Sequence, residues 1–384
     1  MPDEKSPRIR LGMVGGGNDA FIGAVHRIAS RMDDRYELVA GAMSSTPERS
    51  RASGSALGLA PDRTYDGFKE MAKRESRLKN GIEAVAIVTP NHLHAPVARE
   101  FIRRGIHVIC DKPMTATLPE AKKLAKTAAN SGVIFALTHN YTGYPMTRQA
   151  RAMIQNGDLG EIRVVQVEYA QDWLAEPVER TGHKQAAWRT DPERSGAGGS
   201  TGDIGTHAFN IAGFVTGLRL EALSADLQAF VPGRELDDNA HVMLRYVGGA
   251  RGMLWASQVA PGNENTLRLR VYGSKGGLEW SQEGPNRLWF TPLGEPKRLI
   301  TRGGAGAGVE AGRVSRVPAG HPEGYLEAFG SIYSEVAHAI EARRAGRQVP
   351  SEVMFPTVDD GVAGVAFVDA CVRSSRRDSA WITL

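Results

Sequence analysis

The chain has little cysteine and no long hydrophobic run. Its 384 residues include only two cysteines, Cys110 and Cys371, which is too few for a disulfide framework or a four-thiolate metal site. No run of about 18 apolar residues occurs, and the N-terminal segment MPDEKSPRIR lacks the basic start and apolar core of a signal peptide. We therefore expect a cytoplasmic protein that does not cross a membrane.

The chain also lacks a large surplus of charge of one sign. Lys and Arg together number 47 and Asp and Glu 43, so the formal net charge is +4, and the basic residues are scattered along the sequence. A nucleic-acid-binding protein normally has a basic stripe or patch. We therefore expect a small-molecule partner and no binding to nucleic acid.

The patterns of the two parts of the chain predict two kinds of sheet. From Ile9 to Thr138, short apolar runs alternate with helical stretches, which predicts a doubly wound parallel α/β sheet of the Rossmann type. From Asn140 onward, strand-like runs follow one another through turn residues and only three helices are evident, which predicts an α+β domain on a large, mostly antiparallel, open-faced sheet. We predict a dinucleotide-binding domain over 1–139 and a substrate-binding and oligomerisation domain over 140–384, with the last helix as a candidate to pack back on the first.

One face of the second predicted sheet has no covering helix in this interpretation. Exposed apolar sheet faces usually bind a partner, and most oligomers of soluble proteins are symmetric assemblies of one chain. We therefore expect a homodimer or homotetramer formed through the C-terminal sheet.

A glycine motif follows the first predicted strand. The segment Gly15-Gly16-Gly17-Asn18-Asp19-Ala20 has the form G-x-G-x-x-A and precedes a predicted helix. Glycine there permits a tight turn and the close approach of a pyrophosphate to the positive end of the helix. The alternative is a plain glycine-rich turn. The motif predicts a dinucleotide site that includes Gly15, Gly17, Ala20, Phe21 and Ile22.

The end of the second predicted strand bears on the choice of cofactor. An NAD site normally places Asp or Glu there to bind the ribose hydroxyls, whereas this chain has Ser44 and Ser45, with Arg49 close behind. Without the acid, a ribose 2′-phosphate meets no repulsion, and Arg49 is able to pair with it. The pattern favours NADP(H) over NAD(H); the alternative is that Arg49 is a solvated residue of the next helix.

Two further strands end in polar residues along the same predicted sheet edge. The first ends in Thr89-Pro90-Asn91, followed by His94, and the edge is where open α/β sheets bind ligands. His92 and His94 are two residues apart and no helix places them on one face, so we predict no metal site. The second strand ends in Asp111-Lys112-Pro113, which places an ammonium group at the mouth of the crevice; the alternative is an exposed lysine that caps a strand end.

The segment SGAGGSTGDIGTHAFN, in the second predicted domain, contains an acid and a histidine at helical spacing. Asp203 and His207 are four residues apart, so on a helix they share one face. A carboxylate that orients an imidazole is the usual arrangement of a general acid or base near neutral pH. The alternative is an N-terminal cap for Asp203 and a surface position for His207.

These motifs, in this order, resemble the glucose-fructose oxidoreductase, inositol dehydrogenase and rhizopine-catabolism family, written Gfo/Idh/MocA. The resemblance covers nearly the whole chain. It rests on the glycine turn and on TPNHLH, GIHVICDKPMTATLPEAKKL and GGSTGDIGTHAFN, with HPEGYLEAF and VDDGVAGVAFV similar to the family's closing helices.

The resemblance implies roles for three of these residues. The family motif is usually Glu-Lys-Pro with a cis Lys-Pro peptide, and its lysine reaches the reacting carbinol oxygen, so here Lys112 takes that role with Asp111 in place of Glu. By the same resemblance, His207 exchanges the hydroxyl proton and Asp203 orients it. The implied activity is NAD(P)-dependent oxidation of a secondary alcohol on a sugar or cyclitol, or the reverse ketone reduction.

Two alternatives and a set of substrate contacts complete what the resemblance implies. The alternatives are a glycosidase-like member that retains its nicotinamide through a redox cycle, and a non-catalytic nicotinamide-sensing protein. Cofactor contacts extend to Thr89, Pro90, Asn91, His94 and Asp111. The substrate candidates are Lys112, Asn140, Tyr141, Trp188, Arg189, Asp203 and His207.

Overall fold

The computed structural model describes residues 7–18 and 20–384. Asp19 of the predicted glycine motif lies outside the described residues. So do the first six residues, on which the expectation about a signal peptide partly rests. Among the residues described, none of the helices is long and apolar enough to span a bilayer.

The first compact unit contains a parallel five-stranded sheet. It comprises the described residues of Met1–Thr115, with Pro119–Asn140 and Leu326–Val362. The sheet has the order β2-β1-β3-β4-β5, and every neighbouring pair is parallel. The elements in chain order are β1 (Ile9–Gly15), α1 (Phe21–Met32), β2 (Tyr36–Ala42), α2 (Pro47–Ala56), α3 (Phe68–Glu75), β3 (Ala84–Val88), α4 (Asn91–Ile102), β4 (His107–Cys110), α5 (Leu118–Ala129) and β5 (Phe135–Leu137). The predicted doubly wound parallel sheet is confirmed.

The second compact unit contains a nine-stranded sheet. It comprises Ala116–Leu118, Tyr141–Tyr325 and Ala363–Leu384. Its elements are α6 (Pro145–Gln155), β6 (Ile162–Ala170), α7 (Lys184–Arg189), α8 (Pro192–Ser195), α9 (Thr206–Thr216), β7 (Leu220–Gln228), β8 (Asn239–Tyr246), β9 (Arg251–Ser257), β10 (Thr266–Gly273), β11 (Gly276–Ser281), β12 (Arg287–Pro292), β13 (Arg298–Thr301) and α10 (Val309–Gly312), with β14 (Ile382–Thr383) at the end of the chain. The order is β13-β12-β11-β10-β6-β9-β8-β7-β14, and β6 with β9 is the parallel pair among otherwise antiparallel neighbours. The predicted mostly antiparallel sheet is confirmed.

Two long helices lie near the C-terminal end of the chain. Helix α11 (Tyr325–Arg344) belongs to the first unit apart from Tyr325, and α12 (Val358–Ser375) is divided between the units after Val362. The compact units therefore do not follow a single cut in the chain. The functional division predicted at residues 139 and 140 stays a prediction.

Side chains alternate between the two faces of the nine-stranded sheet. In β8, Val242 and Leu244 are buried, whereas Met243 and Arg245 between them are exposed. Helix α9 packs against β6, β9 and β10, and α6 packs against α9, β11 and β12. The opposite face carries Met243, Met253, Tyr272 and Trp289, each between 37% and 59% exposed.

The chain from Asn140 onward has more helices than the three that the sequence predicts. Helices α6, α7, α8 and α10 are additional, and the last three are only four to six residues long. Such short helices contain too few turns for a hydrophobic period to be visible. Helix α6 did carry a signal, because Pro145 is its first residue and Gly157 follows its end, as expected of proline and glycine at helix boundaries.

Candidate active site

The glycine turn after β1 adopts a backbone that requires glycine. Gly15 has φ +77° and Gly16 has φ +69°, in the left-handed region. A Cβ on Gly15 would lie 2.4 Å from the carbonyl oxygen of Val88, and one on Gly23 would lie 2.3 Å from that of Gly16. The turn therefore brings β1, β3 and α1 close together, as a dinucleotide-binding turn does.

The start of α1 fits the pyrophosphate of a dinucleotide. In the part of the chain that the structure describes, no side chain caps the helix at Ala20, and uncapped amide groups at a helix start bind anions. A Cβ on Gly17 would lie 2.8 Å from the Ser53 hydroxyl, which keeps this position small. Phe21, the first residue of the helix, is 72% exposed, and Ile22 follows it.

The chain after β2 has the predicted neutral residues. Ser44 is half-buried and Ser45 exposed, and the Ser44 hydroxyl accepts a hydrogen bond from the amide of Thr46 at 3.3 Å. Arg49 is exposed on α2. The neighbouring Arg51 forms an ion pair with Asp66 at 2.7 Å, so it belongs to the surface charge network of this unit.

Thr89 and His94 lie at the carboxyl end of β3. The Thr89 hydroxyl oxygen is buried and has no hydrogen-bond partner in the described part of the chain, which is uncommon unless a ligand or water completes it. The two ring nitrogens of His94 lie 2.8 Å from the carbonyl oxygen of Thr89 and 2.7 Å from that of Pro113. His94 therefore links the ends of two strands. Pro90 directly precedes α4, and Asn91 is the first residue of that helix.

Burial and a neighbouring acid act in opposite directions on His94. Burial lowers the pKa of its ring below the ordinary value, and the negative charge of Asp111 raises it. Carbonyl oxygens at both nitrogens are fully satisfied only by the doubly protonated ring. His94 thus connects the backbone after β3 to the backbone next to Lys112 through its two ring nitrogens.

Asp111 holds the backbone that carries Lys112. Its Oδ1 atom accepts hydrogen bonds from the Lys112 amide at 2.9 Å and from the Thr138 hydroxyl at 3.0 Å. The Lys112–Pro113 peptide is cis, as the family resemblance implies. The shorter Asp side chain therefore still serves as an acceptor at this position, and Lys112 itself is half-buried.

The chain after β5 adds two buried polar side chains to the first unit. His139 is buried, and burial, with a smaller contribution from the charge of Lys112, lowers its pKa to about 3. His139 is thus neutral, and its ring is close enough to Lys112 to sense the ammonium charge. Asn140 is 1% exposed, and its Nδ2 atom has no partner among the described residues.

Asp203 lies on a π-helical turn, Thr201–Gly205, that leads into α9. The sequence predicts a regular helix from Asp203 onward, and that prediction is wrong for the first turn. The reason is a distant residue: the carboxylate of Asp237 accepts hydrogen bonds from the amides of Gly199 and Thr201 and from the hydroxyls of Ser200 and Thr201, at 2.7–2.8 Å. These four bonds hold the wider turn, a feature common at functional sites.

Two donors converge on one oxygen of Asp203. Arg189 Nε lies 3.1 Å and Gln258 Nε2 lies 3.0 Å from Asp203 Oδ2. The guanidinium of Arg189 also lies 4.3 Å from the ring centre of Trp188 and bonds Gln185. The structure thus brings together three predicted residues, Trp188, Arg189 and Asp203.

His207 is buried among tyrosines in the second unit. It is 7% exposed, and its ring lies edge-on to Tyr141 at 4.8 Å between centroids and 6.2 Å from the ring of Tyr169. Burial raises the pKa of Tyr141 to about 12 and raises that of Tyr169 as well, and the charge of Asp203 contributes to both. Both tyrosines are therefore neutral hydrogen-bonding groups at neutral pH.

Sequence reasoning missed several residues of this cluster. Tyr169, Gln171 and Gln258 were not predicted, because each lies at or beyond a strand end without a motif around it. Strands β6 and β9 are parallel neighbours, with Ala170 paired with Ser257, so Gln171 and Gln258 emerge at the same sheet edge. Only knowledge of the pairing between β6 and β9 would have predicted that these two glutamines lie together.

Within the described residues, no group of three or more His, Cys, Asp or Glu side chains is placed to hold a metal ion.

Comparison with known proteins assigns the family. Residues 9–139 match the family described as an oxidoreductase family with an NAD-binding Rossmann fold, and residues 147–279 match the GFO/IDH/MocA C-terminal domain. The chain belongs to the Gfo/Idh/MocA family. The uncharacterized oxidoreductase YfiI of Bacillus subtilis is 34% identical to it, with 98% of this chain and 97% of that protein covered.

Solved structures agree with this assignment. An oxidoreductase from Sinorhizobium meliloti is 63% identical, with a TM-score of 0.90 over 98% of this chain and 100% of that chain. An inositol dehydrogenase homolog from Azotobacter vinelandii complexed with NAD⁺ is 37% identical, with a TM-score of 0.96 over 99% of this chain and 98% of that one. Its complex with NADH and myo-inositol gives 36% identity and a TM-score of 0.92 over the same shares of the two chains. The predicted family is confirmed, and with it the prediction of a nicotinamide-dependent oxidoreductase.

Proposed function

We propose that this Gfo/Idh/MocA oxidoreductase transfers a hydride between a nicotinamide cofactor and a secondary hydroxyl, or the corresponding ketone, of a cyclitol, sugar or sugar derivative. The observation that carries the substrate class is the likeness, at 36% identity over nearly the whole chain, to the Azotobacter protein complexed with NADH and myo-inositol. Lys112 in the first unit, and the half-buried Asp203 and buried His207 in the second, are the groups that such chemistry needs.

The proposed mechanism assigns one task to each of these side chains. His207 takes the proton of the substrate hydroxyl, and the ammonium of Lys112 donates a hydrogen bond to the same oxygen and stabilises its developing negative charge. Asp203 orients His207 and is available to accept from a neighbouring substrate hydroxyl. The bound nicotinamide supplies the carbon that accepts the hydride. In ketone reduction, His207 returns one proton to the oxygen, while the Lys112 ammonium donates a hydrogen bond to the same oxygen.

The first unit fits the dinucleotide. We propose that the amide groups around Gly15, Gly17, Ala20 and the start of α1, with Phe21 and Ile22, bind the pyrophosphate portion. The hydroxyl of Thr89 and the Nδ2 atom of Asn140, which have no hydrogen-bond partner among the described residues, are donors suited to a buried polar ligand. Pro90, Asn91, His94 and Asp111 shape the same sheet edge, while Asn140, Tyr141, Trp188 and Arg189 are the proposed substrate contacts.

A preference for NADP(H) is part of the proposal. It is supported by the neutral Ser44 and Ser45 after β2 and by Arg49 on α2, which suit a 2′-phosphate. The Azotobacter relative was complexed with NAD⁺ and with NADH, so KM values for both cofactors decide the point. A lower KM for NADP⁺ than for NAD⁺ supports the preference, and the reverse order refutes it.

We also propose a homodimer or homotetramer that buries the exposed face of the nine-stranded sheet. The face carries Met243, Met253, Tyr272 and Trp289, and apolar side chains of this kind are enriched at interfaces.

A cytoplasmic location remains a prediction. Its support is that Cys110 and Cys371 are both buried and unpaired, as in proteins of reducing compartments.

Nicotinamide absorbance tests the proposed activity directly. The protein is mixed with NAD⁺ or NADP⁺ and a panel of inositols, sugars and glycosides, and Lys112→Ala is compared with Lys122→Ala, a matched change at an exposed lysine of α5. We expect Lys112→Ala to lower kcat by about 10²–10³-fold, the usual effect of removing one donor to a developing oxyanion, while Lys122→Ala retains activity.

Other outcomes of the panel point to the alternative functions. Release of an aglycone without net nicotinamide reduction favours the redox-cycling glycosidase. Cofactor binding without turnover of any panel member favours the sensing protein. Equal activity of the two lysine variants removes Lys112 from the mechanism.

A further inference from the structure

Gln258 is a buried amide placed directly against Asp203. It is 2% exposed, and its Nε2 atom donates to Asp203 Oδ2 at 3.0 Å. The same NH₂ group lies 3.4 Å from Gln171 Oε1, so its two protons have two acceptors. Gln258 immediately follows β9, and its backbone is held by Asp238 and Leu174.

The indole of Trp173 fixes the orientation of these amides. Its Nε1 atom lies 3.0 Å from Gln171 Oε1, and an indole N–H can only donate. Gln171 must therefore turn its oxygen toward Trp173 and Gln258, and its NH₂ group toward Asn265, whose Oδ1 atom lies 2.6 Å away. Because Gln171 presents an oxygen to Gln258, Gln258 presents its NH₂ group, and Asp203 receives a donor.

The hydrogen bonds on the other side of Gln171, through Asn265 to the two tyrosines, also have only one possible direction. Asn265 Oδ1 can only accept, so the Tyr169 hydroxyl, 2.8 Å away, donates to it. Tyr169 has one proton, so the hydroxyl of Tyr141 donates to Tyr169. Tyr141 in turn packs edge-on against His207. Every bond in this relay, from Tyr141 to Asp203, thus has one possible direction, set by the Trp173 N–H.

We propose that Gln258 is a positioning residue for Asp203. Its amide, oriented by Trp173 through Gln171, keeps Asp203 as the hydrogen-bond acceptor that orients His207. This inference rests on the proposed function, because it assigns Gln258 a task only if Asp203 and His207 serve hydride transfer. The relay connects Gln171 and Trp173, which follow β6, to Gln258, which follows β9 and donates to the Asp203 carboxylate. Arg189, the second donor to Asp203 Oδ2, adds the opposite charge.

Replacement of Gln258 by an apolar side chain tests the proposal. Gln258→Leu removes the donor, and we expect kcat/KM to fall by about 10- to 100-fold, the range for losing a hydrogen bond to a charged group. The matched control is Gln228→Leu, the same change at an exposed glutamine at the end of β7 in the same sheet. We expect it to keep kcat/KM within about twofold of the native protein, as for a surface substitution.

Gln258→Glu separates positioning from mere packing. It keeps the shape of the side chain, and when protonated its carboxyl group can still donate to Asp203, whereas the ionised form repels it. We expect kcat/KM of Gln258→Glu, as a fraction of native, to rise as the pH falls, and that of Gln258→Leu to show no such rescue. Among the described residues, the other titratable and charged groups near this cluster include Arg189, His207, Tyr141, Tyr169, Asp172 and His183, whose ring packs on Trp173, and they are unchanged in both variants.

Trp173→Phe tests the origin of the orientation. The substitution retains a ring but removes the N–H, so it frees Gln171 and Gln258 to turn. If Trp173 acts through Gln258, the double variant Trp173→Phe/Gln258→Leu is no worse than Gln258→Leu alone, because coupled residues are not additive. Additive losses in kcat/KM overturn the relay.

The outcomes also separate this inference from the proposed function. If the native protein reduces no nicotinamide with any substrate of the panel, the proposed function has failed. If the native protein is active but Gln258→Leu and Gln258→Glu behave like Gln228→Leu at every pH, the proposed function stands and the positioning role of Gln258 is refuted.

Discussion

Lys112 shows how much of a residue's chemistry lies in its neighbours. From the sequence motif alone, a lysine after an apolar strand is as easily an exposed residue at the strand end as a catalytic group. Here the Asp111 carboxylate accepts hydrogen bonds from the Lys112 amide and the Thr138 hydroxyl, and burial, with a smaller contribution from the ammonium, lowers the pKa of His139. The lysine is therefore held at the end of β4 by its own backbone, which suits a group that must meet one substrate oxygen.

Ser44 carries a prediction about cofactor choice. Replacing it with aspartate, Ser44→Asp, places a carboxylate after β2, where it can accept from a ribose hydroxyl of NAD⁺ but repels a 2′-phosphate. We expect the ratio of KM for NADP⁺ to KM for NAD⁺ to rise at least about tenfold, because like charges placed together cost several kcal/mol. Steady-state kinetics with both cofactors measure the ratio.

A surface serine provides the control for this substitution. Ser55→Asp adds the same charge at an exposed position of α2, and we expect the ratio to stay as in the native protein. An unchanged ratio in Ser44→Asp as well would mean that the end of β2 does not meet the ribose.

The π-helical turn before α9 is the element that the sequence pattern described least well. Four-residue spacing of Asp203 and His207 predicts one face of a regular helix, but the turn is widened where Asp237 accepts four hydrogen bonds from Gly199 to Thr201. Asp237 is more than thirty residues away in sequence. The hydrophobic period of a helix contains no information about such a partner, so the departure from regular geometry could not be predicted locally.

The contact between His107 of β4 and Ile134, the residue before β5, predicts how the stability of the protein depends on pH. His107 Nδ1 accepts a hydrogen bond from the Ile134 amide at 2.9 Å, and burial lowers the pKa of His107 to about 4. The folded state thus binds fewer protons than the unfolded state between pH 4 and the ordinary value of 6.5. The free energy of unfolding should therefore fall as the pH drops below 6.5, by at most about 1.4 kcal/mol per pH unit for this group.

His107→Asn isolates this contribution. The amide oxygen of asparagine can accept from Ile134 but does not titrate, so we expect urea unfolding followed by circular dichroism to show a shallower loss of stability from pH 6.5 to pH 5 than in the native protein. His92→Asn, at an exposed histidine of α4, should leave the native slope unchanged. Parallel slopes for all three proteins would contradict the assignment to His107.

The assembly of the protein is a property of the whole chain and follows from the exposed face of the nine-stranded sheet. Met243 of β8 and Met253 of β9 are paired across that face, so Met253→Glu places a charge at its centre. If the face is buried between copies, we expect size-exclusion chromatography with light scattering to give an oligomer for the native protein and a shift toward monomer for the variant.

Leu78→Glu is the matched control for assembly. Leu78 is 40% exposed in the first unit and is not part of the nine-stranded sheet, so its substitution should leave the native mass unchanged. A native protein that elutes as a strict monomer at every concentration would refute the proposed interface.

Local patterns along the chain account for the family, for both kinds of sheet and for the motifs at the glycine turn, Lys112 and His207. These features depend on the period of apolar residues and on backbone shapes that only glycine adopts readily, and both are visible within a few consecutive residues. The cluster around Asp203 depends instead on strand pairing. Gln171 and Gln258 are 87 positions apart and meet because β6 and β9 are parallel neighbours. Their partners are chosen by the free energy of the whole packed sheet, which no short window of sequence contains.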